Sequence, residues 1–153
     1  MSAPSSDRPG REQFAFAYSL RVRWSEVDPQ GIVFNPNYFV YFDVAVTEYW
    51  RALGFPYPDG FTALGVDTFA RAIEAEYLGS ARFDDVIDVA IRTRRIGRSS
   101  LACAFAILRG DEILTRGEMV YVVADAATRR PVSVPEPLRA AILALERVAP
   151  ETA

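Results

Sequence analysis

Asp28 and Asn35 are the residues whose type and spacing best suit chemistry in this sequence. Asp28 follows a run of alternating apolar residues, and Asn35, seven positions later, joins Pro36 in what reads as a helix start. The first turn of a helix carries unpaired backbone N–H groups and the positive end of the helix dipole. A carbonyl oxygen held there would be polarised as in an oxyanion hole. A carboxylate on the neighbouring loop could then attack that carbonyl, or take a proton from a water beside it. The competing reading is structural: Asp before Pro in a turn caps the local backbone, Gly31 is a turn residue, and Asn35 is a plain N-cap.

The rest of the composition narrows the chemistry by exclusion. Histidine is absent and all 17 basic residues are arginine, so Ser-His-Asp and Cys-His catalysis, His-ligated zinc and Schiff-base chemistry are excluded together. Asp, Glu, Tyr, Ser, Thr or a cofactor remain, and no phosphate-cradling or dinucleotide-binding glycine motif occurs. A net charge of -3 gives no basic footprint for nucleic acid. Cys103 alternates with Leu101, Phe105 and Ile107, as a small core side chain of a strand would. The longest apolar stretch, around Tyr38 to Val46, is interrupted by Asp43 and too short to span a membrane. Residues 1–12 mix Ser, Pro, Asp, Gly and Arg without a hydrophobic centre and are expected to be a disordered tail rather than a signal peptide. A single domain over 13–148 and a cytoplasmic location are expected.

Asp28 and Asn35 can cooperate only if the flanking elements bring them together. Apolar residues fall on every second position from Phe14 through Phe16, Tyr18, Leu20 and Val22 to Trp24, which predicts a half-buried strand. It stops at the turn-forming Asp28-Pro29-Gln30-Gly31. Asn35 as N-cap and Pro36 as first helical residue predict a helix to about Leu53, closed at Gly54. Its apolar residues cover almost the whole circumference, so other structure must enclose it. Residues 55–65, rich in Pro and Gly, form a connection with room for a short helical turn. Strands follow over about 67–78, 86–96, 99–108 and 113–123, and Ser133 to Glu136 resembles a capping box before a terminal helix. This order predicts an α+β fold, a sheet of about five antiparallel strands curled around a long central helix. The open edges of such a sheet favour pairing with a second copy.

The stretch Asp28-Pro29-Gln30-Gly31-Ile32-Val33-Phe34-Asn35-Pro36-Asn37-Tyr38 resembles the D-P-x-G-I-V-x-x-P-N-Y signature of the 4-hydroxybenzoyl-CoA thioesterase family. Ala81-Arg82-Phe83-Asp84-Asp85-Val86 is similar to its second landmark, A-x-[YF]-D-D-x. The resemblance implies a hotdog fold, homodimers or homotetramers with sites between subunits, and hydrolysis of an acyl-CoA to free acid and coenzyme A without a further cofactor. It implies Asp28 as nucleophile or general base, and the backbone N–H of Asn35 as the group that polarises the thioester carbonyl. Gly31 and Tyr38 belong to the motif, while Asp43 and Thr68 match positions lining the acyl pocket of aromatic-acyl members. Arg92, Arg94, Arg95 and Arg98 crowd one strand end. Such clusters are ordinarily solvated faces, but in the family a basic turn here meets the nucleotide end of coenzyme A, and Arg95 and Arg98 are the closest matches. Relatives carry His where Asn35 stands, a change that a backbone N–H tolerates.

Three alternatives stay open at this point. A second hotdog branch places its carboxylate on the helix, where Glu48 stands. A hotdog dehydratase is a rival enzyme, although such enzymes use a His that this chain lacks. A non-catalytic acyl-CoA-binding module is a rival of another class. The likeness to the aromatic branch, with Phe and Tyr near the helix start, points to an aryl or short acyl group.

Overall fold

The computed structural model describes residues 10–153. Of the tail expected over 1–12, residues 1–9 lie outside the described residues, and Arg11–Gln13 forms one 3-10 turn. The elements that follow are β1 (Phe16–Arg21), α1 (Asn37–Ala52), α2 (Asp59–Thr62), β2 (Val66–Tyr77), β3 (Val86–Ile96), β4 (Ser100–Arg109), β5 (Glu112–Asp125), α3 (Glu136–Leu145) and β6 (Glu151–Thr152). The five long strands pair antiparallel, as the order of elements predicts, and they lie in the order β1-β3-β4-β5-β2. The short β6 pairs in parallel with the last residues of β3. No helix among the described residues is long and apolar enough to cross a membrane.

The face of the sheet that meets α1 is built from alternate residues of each strand. On β4 these are Leu101, Cys103, Phe105 and Ile107, all buried. Cys103 is the core thiol expected from its spacing, and burial pushes its pKa up to about 12, so it stays a protonated packing group. Against this face α1 lays Tyr38, Tyr41, Phe42, Ala45, Val46, Tyr49 and Trp50. Phe42 and Phe105 meet with ring centroids 4.6 Å apart. The enclosure is incomplete in a single chain, because Val40 on α1 is half exposed.

Periodicity locates the elements but not all of their ends. The strand predicted to reach Trp24 stops at Arg21, and Trp24–Glu26 turns away as a 3-10 segment. The helix begins at Asn37, two residues after the predicted N-cap, and neither Asn35 nor Pro36 gives it a side-chain cap. The expected capping box at Ser133–Glu136 also fails: α3 starts at Glu136 behind Pro135, with no capping side chain. Proline supplies these starts by fixing φ and lacking an N–H to satisfy.

Gly117 on β5 marks where the helix presses closest to the sheet. A Cβ there would stand 2.8 Å from Phe42 Cε2 and 2.8 Å from the Glu74 carbonyl oxygen. Gly117→Ala is therefore expected to lower stability by about 1–3 kcal/mol through overpacking, read as a lower urea midpoint with unchanged m-value. An unchanged midpoint would show that α1 has slack over the sheet.

Candidate active site

The site begins where β1 ends. Val22 N–H bonds the Asp85 carbonyl at 2.8 Å, and the chain then bends through Trp24–Glu26. Glu26 is 7% exposed. Its carboxylate accepts the Arg23 backbone N–H at 2.7 Å and the Arg23 guanidinium at 3.1 Å. Burial alone would raise the Glu26 pKa, but the hydrogen bonds from Arg23 outweigh it and hold it below the usual carboxylate range.

The Glu26 carbonyl ties this turn to the helix start. It accepts the Phe34 N–H at 2.9 Å and the Asn37 side-chain amide at 3.0 Å. Val27 and Val33 form a bridge, and inside it the Asp28 N–H bonds the Ile32 carbonyl at 3.0 Å while the Gly31 N–H bonds the Asp28 carbonyl at 2.9 Å. Gly31 has φ +78°, a left-handed conformation that a side chain would strain. Residues 28–32 thus form a closed loop with Asp28 at its mouth.

Asp28 is half-buried, and its Oδ1 accepts the Gln30 N–H at 2.8 Å, so the turn-capping reading holds for one oxygen. Its Oδ2 has no partner among the described residues, and Asp28 lines a cleft of about 440 Å³ with Trp24, Val27, Pro29, Gly31 and Phe83. On the helix side, N–H groups of Asn37, Tyr38 and Phe39 bond the carbonyls of Phe34, Asn35 and Pro36 at 2.9, 3.3 and 3.1 Å. Pro36 has no N–H to give, and the exposed Asn35 N–H has no acceptor among the described residues. The peptide that carries this N–H is held through its Phe34 carbonyl, which accepts the Asn37 N–H, and the next peptide is held by the Tyr77 hydroxyl of β2, which donates to the Asn35 carbonyl at 3.1 Å. A free carboxylate oxygen and an unshared amide hydrogen therefore flank the same loop.

The second landmark serves as a brace. Tyr38 is buried, and its hydroxyl accepts the Ala81 N–H at 3.0 Å; in this chain it packs rather than facing the cleft. Asp84 holds a left-handed φ of +70° and accepts the Arg21 guanidinium. The Asp85 carboxylate takes the Arg82 N–H at 2.8 Å and Arg109 at 2.7 Å. Burial opposes ionisation of Asp85, but these hydrogen bonds and the Arg109 charge hold its pKa low. The braced loop presents Phe83 to Trp24, ring centroids 5.1 Å apart and edge to face.

The other sequence-predicted residues lie apart from Asp28. The Thr68 N–H bonds Asp67 Oδ1 at 2.8 Å. Burial, then Asp67 and the charge of the exposed Asp43, raise the Tyr57 phenol, so Asp43 and Thr68 share a neighbourhood further along α1 and at the start of β2. Glu48, on α1, is ion-paired with Arg51 at 3.3 Å. Arg95 and Arg98 are exposed at the far end of β3, whose first residue, Val86, pairs with Arg21 next to the site. Arg95 stands nine positions after Val86 along β3, about 30 Å of extended chain. Sequence reading missed Trp24, Phe83, Glu26 and Asn37. Asn37 stood in the motif without a role, and an acid two residues before Asp28 was the available signal for Glu26.

A family model described as the thioesterase-like superfamily matches residues 22–142. Among curated relatives, the chain is 22% identical over 126 residues to the acyl-CoA thioesterase YbgC of Haemophilus influenzae, covering 82% of this chain and 93% of that one. Two crystal structures are similar at 29% identity each. The PA5185 protein of Pseudomonas aeruginosa has a TM-score of 0.81, covering 93% of this chain and 99% of that one. A Thermus thermophilus thioesterase complexed with coenzyme A and Zn has a TM-score of 0.77, with coverages of 88% and 96%.

Because Glu26 and Asp85 both have depressed pKa values, the stability they contribute is present above the usual carboxylate range and is lost as pH falls through their folded values. Melting temperature should therefore drop between about pH 5 and pH 3. Glu26→Gln should flatten that drop, and parallel curves for the two proteins would rule out Glu26 as a contributor.

Proposed function

The chain belongs to the thioesterase-like superfamily, and from that membership we propose that it hydrolyses an aryl- or short-chain acyl-CoA to free acid and coenzyme A, with Asp28 driving the reaction. It is a thioester hydrolase, and the observation carrying the finer reading is the pairing of a free Asp28 oxygen with a free Asn35 N–H across one closed loop. As the thioester carbonyl becomes tetrahedral, negative charge grows on its oxygen. The Asn35 N–H and the positive end of α1 stabilise that charge without reorganising, because the Asn37 N–H already holds the Phe34 carbonyl of the same peptide and Tyr77 holds the next one. Asp28 either attacks the carbonyl carbon, forming an anhydride that water then opens, or takes a proton from the attacking water. Both routes break the C–S bond and release the thiol, and neither needs a further cofactor.

The working unit we propose is a dimer or a higher assembly of dimers. Two features support it. β2 is an edge strand of 12 residues bearing exposed Phe69, Ile73 and Tyr77, with the half-exposed Val40 of α1 on the same molecule. Long apolar edges of this kind pair with another chain. Arg95 and Arg98 also stand too far from Asp28 to serve the same substrate comfortably within one chain. A neighbouring copy would bring such arginines to the phosphates of coenzyme A, and Asp43 and Thr68 to the acyl group. The cytoplasm suits this reading, since a lone buried thiol needs no oxidising compartment.

Asp28→Asn is expected to reduce kcat for thiol release from acyl-CoA by about two orders of magnitude or more, with little change in melting temperature. The assay is thiol release across benzoyl, hydroxybenzoyl, phenylacetyl and straight-chain esters. A fully active Asp28→Asn enzyme would eliminate the assignment, and a variant that fails to fold would return Asp28 to its turn-capping role.

A further inference from the structure

Two aromatic side chains wall the Asp28 cleft and have no task in the reaction as described. Trp24 is 74% exposed and Phe83 48% exposed, yet each stands on a hydrogen-bonded turn and the two rings contact each other. Trp24 opens the turn that ends at the buried Glu26, and Arg23 locks that turn at both carboxylate oxygens. Phe83 sits between Arg82, whose N–H Asp85 holds, and Asp84, which Arg21 holds. Two rings meeting edge to face on two braced loops make a fixed apolar corner, so little side-chain entropy remains to be lost when something docks against it.

We propose that Trp24 and Phe83 bind the acyl portion of the thioester and give the enzyme a preference for planar, aromatic acyl groups. The inference rests on the hydrolase reading above. Apart from Asp28, the cleft is lined by Trp24, Val27, Pro29, Gly31 and Phe83, whose side chains supply one indole N–H and otherwise hydrocarbon. The pantetheine arm of coenzyme A, with its amides and hydroxyl, would surrender hydrogen bonds to water there and find almost none in return. An aryl group has no such bonds to lose. It gains offset-stacked or edge contacts with rings already arranged for them. A carbonyl within reach of Asp28 can carry its acyl substituent into this corner, because Asp28 lines the same cleft.

The test compares kcat/KM for benzoyl-CoA and phenylacetyl-CoA with that for butyryl-CoA and hexanoyl-CoA in the wild type and in Trp24→Ala, Trp24→Phe and Phe83→Leu. Light scattering follows the size of each protein. The aryl-to-alkyl ratio should fall about tenfold in Trp24→Ala and Phe83→Leu and stay near the wild-type value in Trp24→Phe. Trp24→Leu, which keeps hydrocarbon but removes the π-system, makes the same comparison if the alanine variant melts near assay temperature. An unchanged ratio in active variants overturns the inference alone. So does an equal loss on every ester, which would place the thiol half against these rings, or a change in oligomeric size, which would make Trp24 an interface residue. A wild-type protein that releases no thiol from any ester removes the hydrolase reading, and this inference falls with it.

Discussion

The backbone carbonyl of Glu26 holds the site together. One oxygen accepts both the Phe34 N–H and the Asn37 side chain, which joins the end of the first strand to the beginning of the buried helix. Each such bond contributes only about 1 kcal/mol of net stability, a small share of what the core supplies. Its importance is geometric. With both lone pairs used, Glu26 fixes the separation between the two arms of the 28–33 loop, and the Val27–Val33 bridge sets their register. Asp28 and Asn35 then stand on opposite arms of one rigid hairpin-like turn, where a flexible loop would leave their spacing to chance.

The motif is best understood as a set of instructions for that turn. Gly31 supplies a backbone angle, Pro36 removes a donor, Asn37 returns to Glu26, and Tyr38 reaches the Ala81 amide. One Asp28 oxygen and the Asn35 N–H are left without a partner among the described residues. The second landmark works in the same way: Asp84 accepts an unusual φ and Asp85 collects Arg82 and Arg109, so its acids are braces. Two exposed aromatic rings, Trp24 and Phe83, are what this bracing presents to the Asp28 cleft.

Much of this was legible in the sequence because hydrophobic period reports which face is buried. The strand alternation, the apolar helix and the core position of Cys103 all follow from it, and the turn at Asp28 follows from its Asp-Pro-Gln-Gly residue types. Period fails where the chain leaves a regular element. Trp24 is in phase with β1 and so reads as half-buried, but the strand has already ended and a 3-10 turn carries the indole outward. Asn35 has the right type for an N-cap, yet Phe34 and Pro36 draw the chain into a turn first and the helix starts at Asn37. The two residues of β6 carry too little pattern to be seen. The all-round apolarity of α1 is also only partly explained by its own chain, since Val40 stays half exposed.

The central claim is that one thioester carbonyl fits between the Asp28 carboxylate and the Asn35 N–H. A crystal structure with a non-hydrolysable acyl-CoA analogue, its thioester sulfur replaced by methylene, examines this directly. The account predicts the analogue's carbonyl oxygen within hydrogen-bonding distance of the Asn35 N–H and the free Asp28 oxygen facing the carbonyl carbon or a water beside it. An analogue bound with its carbonyl elsewhere, or with the Asn35 N–H unused, would contradict it.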